Sequence, residues 1–268
     1  MMQISLPMYD WPGLEAVTDA WCAGLARALA RHGVDGVPAE PFRGVSVDTL
    51  WRSSELLLSQ TCGYPLLTGY RECLSLLLKL VYRTPGSIGD SYRSFIVVHR
   101  ESCAASLEDL RCARCTINGV TSQSGMDVLR REVAPLARDR RFFSEVVMSG
   151  RHLDSIALIA AGKAVVAAID CVTFGLAAKH APHSISAVRV LRETRAAPSL
   201  LYVTRSNAPE EARKRIEAAQ QDAMADPNLG EIRKALLLDV FIELSLKDCA
   251  VMTEMEAEAA AMGYPELA

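Results

Sequence analysis

Apolar positions along this chain recur in two rhythms, and the change from one to the other marks out its elements. Val17, Trp21, Leu25, Ala28 and Leu29 fall on one helical face that stops at His32-Gly33. Met126, Leu129, Val133, Leu136 and Ala137 do the same behind Ser124-Gly125. Between such faces lie short runs with strand character: an alternating run over 3–9, Ser54–Gln60, Leu74–Tyr82 and Arg93–Arg100. From there the alternation is regular. A helix over 107–111, a strand over 115–118, a helix over 124–137, a strand over 142–148, a helix over 152–161, a strand over 165–170 and a helix over 172–179 follow in turn. Strand and helix in alternation predict an α/β fold with mainly parallel sheets covered by helices on both faces. Return strands are expected over 187–192 and 199–204, then helices over 210–224, 231–246 and from Thr253. The charges of these last helices read as a solvated face.

In such sheets ligands gather at the C-terminal ends of the strands, so the polar residues there are the candidates for chemistry. Tyr9, Asp10 and Trp11 follow the first strand, and Tyr64 follows the second, between Gly63 and Pro65. The stretch Thr116–Arg130 reads as a strand end, a small-polar turn and a helix start. Ser124 is placed to cap that helix, with Asp127 three residues on as the capping-box acid. Unpaired N–H groups and the positive end of the helix dipole make such a start suited to an oxyanion, with the hydroxyls of Thr121, Ser122 and Ser124 as further donors. His152 opens a helix and Asp170 ends a buried strand. The first is placed to donate to an anion; the second is placed to cap the next helix, to receive an ammonium or to orient the histidine.

Composition narrows the class. The chain has 268 residues, half of them hydrophobic, with a formal charge of −3, which suits a globular protein and excludes one built for bulk phosphate-backbone binding. Apolar runs are too short to span a bilayer, so no membrane insertion is expected. The first ten residues lack the marks of a secretory signal, which reads as a cytoplasmic protein if that terminus is native. Eight scattered cysteines read as free thiols, and Cys112-Ala-Arg-Cys115 lacks the second pair that zinc would need. Neither a metal nor a cofactor is expected.

Taken together, Tyr-Asp-Trp-Pro (9–12), Leu-Trp-Arg (50–52), Leu-Ser-Gln-Thr-Cys-Gly-Tyr-Pro (58–65), Ile-Asn-Gly (117–119), Ser-Gln-Ser-Gly-Met (122–126), Ser-Gly-Arg-His (149–152) and Ala-Ile-Asp-Cys-Val-Thr-Phe (168–174) resemble the phosphate/phosphite/phosphonate-type substrate-binding proteins of ABC transporters. The resemblance covers roughly residues 3–204. It implies a two-lobed type II periplasmic-binding-protein fold with a ligand cleft between lobes, lobe one being about 1–93 plus 192–268 and lobe two about 94–191. It also implies a ligand set of Tyr9, Asp10 and Tyr64 from lobe one, and Ser122, Gln123, Ser124, Gly125, His152 and Asp170 from lobe two. A periplasmic location follows from the resemblance if a signal has been removed. Arg151, directly before His152, adds a cation to the expected pocket.

The function expected is non-catalytic: a solute-binding protein that clamps a small phosphonate-, phosphate- or sulfonate-like anion and serves an ABC permease. Two alternatives stand beside it. One is a cytosolic enzyme on the same scaffold, with His152 and Asp170 as base and orienter or Cys62 or Cys171 as nucleophile. The other is a ligand sensor acting through a cytosolic partner protein. Nucleic acid is expected in none of them.

Overall fold

A computed structural model describes residues 2–268. In chain order its elements are β1 (Gln3–Ser5), α1 (Glu15–Arg31), α2 (Val47–Trp51), β2 (Leu56–Thr61), α3 (Gly63–Thr68), β3 (Leu74–Tyr82), β4 (Ser87–Ile88), β5 (Ser91–Tyr92), β6 (Ser94–His99), β7 (Arg114–Ile117), α4 (Val128–Val133), β8 (Glu145–Met148), α5 (His152–Ala160), β9 (Val166–Asp170), α6 (Cys171–His180), α7 (Pro182–Ile185), β10 (Val188–Glu193), β11 (Ala197–Pro198), β12 (Leu201–Arg205), α8 (Glu210–Ala225), α9 (Gly230–Ala235), β13 (Leu238–Ile242) and α10 (Ala250–Ala261). They fall into two units. The first holds the chain up to Arg83 together with Pro198–Asp248, and the second holds Thr84–Ala197 together with Cys249–Ala268.

The first unit is built on a sheet in the order β1-β2-β12-β3-β13. β1 and β2 run parallel, while β12 runs antiparallel to both β2 and β3, and β13 antiparallel to β3. All six residues of β2 are buried, which explains why that strand reads as an unbroken apolar run rather than an alternating one. On α1, Trp21, Cys22, Leu25, Ala28 and Leu29 are buried as their spacing requires. The helix ends where Gly33 takes φ +73 and the Val34 N–H returns to the Leu29 carbonyl at 3.0 Å, a turn that favours glycine. At the centre the buried Tyr202 hydroxyl accepts from Trp21 Nε1 at 3.1 Å and Gln60 Nε2 at 3.2 Å.

The second unit has a sheet in the order β10-β6-β9-β7-β8. β7 is parallel to both β8 and β9, whereas β6 is antiparallel to β9 and to β10. Its core is Ile96, Val97 and Val98 of β6 against Val166, Ala167, Ala168 and Ile169 of β9. Both sheets are therefore mixed. The strand–helix alternation accounts for the parallel pairs, and the antiparallel ones come from β6, β10, β12 and β13, whose connections are of other kinds. Because β7, β8 and β9 are parallel, the loops opening at Asn118, Ser149 and Cys171 leave from one edge of the sheet.

Three expectations change. The boundaries near 93 and 192 both lie inside the second unit, and residues 249–268 belong to it rather than to the first. Backbone pairing explains this: Cys171 N–H bonds to the Arg93 carbonyl at 3.0 Å, Thr194 N–H bonds to the Ser94 carbonyl at 2.9 Å, and Arg131 holds Glu258 of α10 at 2.7 Å. The helix expected over 231–246 stops at Ala235, because Leu237 turns to φ +59 and Leu238–Ile242 pairs with β3 as an edge strand. Here a ladder partner and the packing of buried Phe241 override helical spacing. The strand expected from Phe142 begins only at Glu145, since the N–H groups of Phe142 and Phe143 donate to the Ala268 carbonyl at 2.7 and 3.0 Å.

Tyr202→Phe removes an acceptor from two buried donors. It is expected to lower unfolding stability by roughly 2–4 kcal/mol in a denaturant titration, and a loss below about 0.5 kcal/mol would show that the Trp21–Tyr202–Gln60 cluster contributes little.

Candidate functional site

The edge where β7, β8 and β9 end carries the polar cluster. After Ile117 the chain turns through Asn118-Gly-Val-Thr and meets Ser122, whose extended backbone (φ −80, ψ 119) and side chain cap the next helix. Ser122 Oγ accepts from the Gly125 N–H at 3.0 Å. The Ser122 carbonyl accepts from both Met126 and Asp127, at 3.1 and 3.0 Å, so the first turn, Gln123–Asp127, is widened by one residue before α4 begins. The cap is thus Ser122 and not Ser124. That shift of two residues frees the Ser124 hydroxyl, which lies 3.0 Å from His152 Nε2. Gly125 is needed for its lack of a side chain, since a Cβ there would stand 1.8 Å from Asn118 Oδ1 and 3.1 Å from His152 Cε1.

Asp127 does not act as a capping-box acid. Its Oδ1 meets Arg130 Nη2 at 2.5 Å, both side chains being buried, and Arg130 Nη1 donates to the Pro265 carbonyl at 2.8 Å. The C-terminal segment therefore braces the helix that carries Ser124. Asp170 does cap its helix: Oδ1 accepts from the Thr173 N–H at 2.8 Å and Oδ2 from the Thr173 hydroxyl at 2.5 Å. The same Oδ2 is 3.3 Å from His152 Nε2.

Ser124 and Asp170 thus approach one and the same ring nitrogen. A base–orienter relay needs them on opposite nitrogens, so that one accepts the nucleophile's proton while the other is held by the carboxylate. Here both lie by Nε2, Ser124 Oγ within hydrogen-bond reach at 3.0 Å and Asp170 Oδ2 in ion-pair contact at 3.3 Å, which is not that arrangement. The candidate nucleophile Cys171 is equally unsuited, because burial and the neighbouring Asp170 charge push its thiol up to about 12. Arg151 is paired through its Nε and Nη2 with Asp154 at 2.9 and 3.2 Å, so it is not the unpartnered cation that its position suggested. No group of residues able to hold a metal ion occurs among the described residues.

Five of the expected residues, Ser122, Ser124, Gly125, His152 and Asp170, are brought together in the second unit. Gln123 is in the same turn, 1% exposed, with no partner for either amide atom. Tyr9, Asp10 and Tyr64 belong to the first unit. Tyr9 packs edge-on against Tyr82 with centroids 5.4 Å apart, and Tyr64 is buried at the start of α3. Asp10 receives Arg43 Nε at 2.5 Å and Nη2 at 2.9 Å, and the same guanidinium reaches Asp19 at 2.7 Å. Spacing gave no signal for Arg43 or Arg130, whose partners lie on other elements. Asn118 was legible only as a turn residue.

Residues 14–249 match the family described as ABC transporter, phosphonate, periplasmic substrate-binding protein, and the chain belongs to that family. Its members are substrate-binding components of transporters, not enzymes, and are periplasmic. Among solved structures, a binding-protein component of an ABC phosphonate transporter from Pseudomonas aeruginosa is similar with a TM-score of 0.80 at 13% identity, over 98% of this chain and 87% of that one. PhnD1 from Prochlorococcus marinus in complex with methylphosphonate gives a TM-score of 0.73 at 15% identity, over 97% and 98%. A Xanthomonas citri protein bound to ATP gives 0.69 at 16% identity, over 98% of each. At these identities the likeness is one of fold. No curated protein matches. No helix among the described residues is long and apolar enough to cross a membrane.

Burial holds His152 below the ordinary imidazole value of 6.5, against the opposing pull of Asp170 and the Ala168 carbonyl. The folded state then binds the proton less readily than the unfolded chain, so this contribution to stability is complete above 6.5 and is lost as the pH falls through the folded value. Asp127 acts in the other direction. Burial raises it from 3.8 to about 6 despite Arg130, so its contribution is present below 3.8 and lost as the pH rises through about 6. Replacing His152 with Asn is expected to flatten the fall of the thermal midpoint on acidification below 6.5; an unchanged slope would count against a buried neutral imidazole. Gly125→Ala should displace Asn118 and the His152 ring, lowering stability by roughly 1–3 kcal/mol by calorimetry. A variant as stable as the wild type would show that the turn yields without cost.

Proposed function

We propose that the start of the helix at Ser122–Gly125, with His152 beside it, is the oxyanion-binding half of a solute receptor that captures a small phosphonate-, phosphate- or sulfonate-like anion and delivers it to an ABC permease. The observation that carries this reading is the convergence of Ser124 Oγ and Asp170 Oδ2 on His152 Nε2, at 3.0 and 3.3 Å. It sets a hydroxyl and an imidazole beside the start of the turn, without the carboxylate on the opposite ring nitrogen that a relay needs. Charge-assisted hydrogen bonds from such preset donors supply binding energy without reorganisation. The resemblance assigns Tyr9, Asp10 and Tyr64 as the first unit's share, with Tyr9 and Tyr64 offering aromatic faces. The pairing of Asp10 with Arg43 favours a supporting role for that carboxylate. The family is periplasmic, which favours a place of work outside the cytoplasmic membrane.

The test is a thermal-shift series with phosphate, methylphosphonate, an alkylsulfonate and a small carboxylate, run on the wild type beside Ser124→Asp. A ligand at a hundred times its dissociation constant contributes about 2.7 kcal/mol, which is expected to raise the midpoint by roughly 5–10 °C. The substitution places like charge at the helix start and is expected to abolish the shift while leaving the unliganded midpoint within a few degrees. A shift that survives Ser124→Asp would place the anion elsewhere.

A further inference from the structure

Resting on the oxyanion reading, we infer that capture of the anion takes up a proton from solvent at His152, so that this receptor binds more tightly as the pH falls from alkaline toward neutral. The geometry sets the ring against the turn. His152 opens α5 with its side chain 10% exposed, and its Nε2 lies 3.0 Å from Ser124 Oγ. Its Cε1 comes within 3.1 Å of where a Cβ on Gly125 would stand. An oxyanion held by the first-turn N–H groups therefore brings its charge to the ring. Every residue in this contact belongs to the second unit.

The forces on the ring are already divided. Burial favours the uncharged imidazole, whereas Asp170, with Oδ2 3.3 Å from Nε2, and the Ala168 carbonyl favour the imidazolium. Both of these neighbours are acceptors, and a charged ring has two N–H groups to give where a neutral one has a single donor. Besides the turn, α5 packs against β6, β7, β9, β10 and α7. Their charged or titratable groups are His99, Arg114, Cys115, Asp170, Arg189, Arg192, Glu193 and His183, and of these Asp170 is the one that acts on the ring. On α5 itself Asp154 is held by Arg151, and in the turn Asp127 is held by Arg130. One carboxylate does not overcome burial, since the ring stays below its ordinary value. The anion adds a second negative charge beside the same ring, and the charged form becomes the favoured one. In balance, one proton leaves water or buffer, joins the unprotonated ring nitrogen and makes the contact with Asp170 an ion pair. Uptake occurs only where the free ring is neutral and the bound ring charged. Affinity therefore falls by up to about tenfold per pH unit across that interval and levels off on either side.

Proton NMR of the full chain over about pH 5 to 9, with and without saturating methylphosphonate, reads the ring directly. The chain has five histidines, and the Cε1–H signal of His152 is the one missing from His152→Asn. Its titration is expected to move to higher pH when the anion is bound. Calorimetry at about pH 7.5 in two buffers of different ionisation enthalpy counts the protons: the wild type is expected to take up roughly 0.3–1 proton more than His152→Asn, a difference from which the anion's own titration cancels. A His152 titration unmoved by bound methylphosphonate, or equal uptake by wild type and variant, would overturn the inference and leave the oxyanion site standing. Should His152→Asn fail to bind, the wild-type NMR titration decides alone. Methylphosphonate that does not bind the wild type at all would instead overturn the oxyanion reading, and the proton uptake with it.

Discussion

Asp170 is the group on which the second unit's site depends. It is the last residue of a fully buried strand, and burying a carboxylate requires hydrogen bonds to both oxygens. Thr173 supplies both and thereby starts α6, while His152 Nε2 lies 3.3 Å from Oδ2. The same ring nitrogen lies 3.0 Å from Ser124 Oγ. One desolvated charge therefore couples three loops of the same sheet edge, and the donors at the head of the widened turn are preset before any ligand arrives.

A serine, a histidine and an aspartate within hydrogen-bond reach invite comparison with a hydrolase, and the difference lies in the atoms. With the carboxylate and the hydroxyl beside the same ring nitrogen, no carboxylate holds the opposite nitrogen as a relay requires. Fold leaves this open, since one scaffold hosts both receptors and enzymes; membership of a substrate-binding family favours the receptor.

The helix bearing Ser124 is also secured from behind. Arg130 is buried and joins Asp127 to the Pro265 carbonyl, Arg131 and Arg195 both reach Glu258, and the Ala268 carbonyl completes the backbone bonding of Phe142 and Phe143. These contacts tie a segment more than a hundred residues downstream to the support of the turn. They place α10 with the second unit, against the expectation that the tail follows the first.

What the sequence determined alone is the local part of this. Period and punctuation are local properties, so the strand ends at Ile117, Met148 and Asp170, the glycine stop of α1 and the small-polar turn at 122–125 were all legible, as were Ser122, Ser124, Gly125, His152 and Asp170 as its polar residues. What only the tertiary structure decided depends on groups far apart in the chain. Spacing cannot show that Arg43 claims Asp10, that Arg130 claims Asp127, or that β3 draws 238–242 out of a helix, because each is settled by a partner on another element. Nor can it say which serine caps the turn or which nitrogen of His152 the carboxylate meets. Those are differences of a single contact, set by groups on different elements.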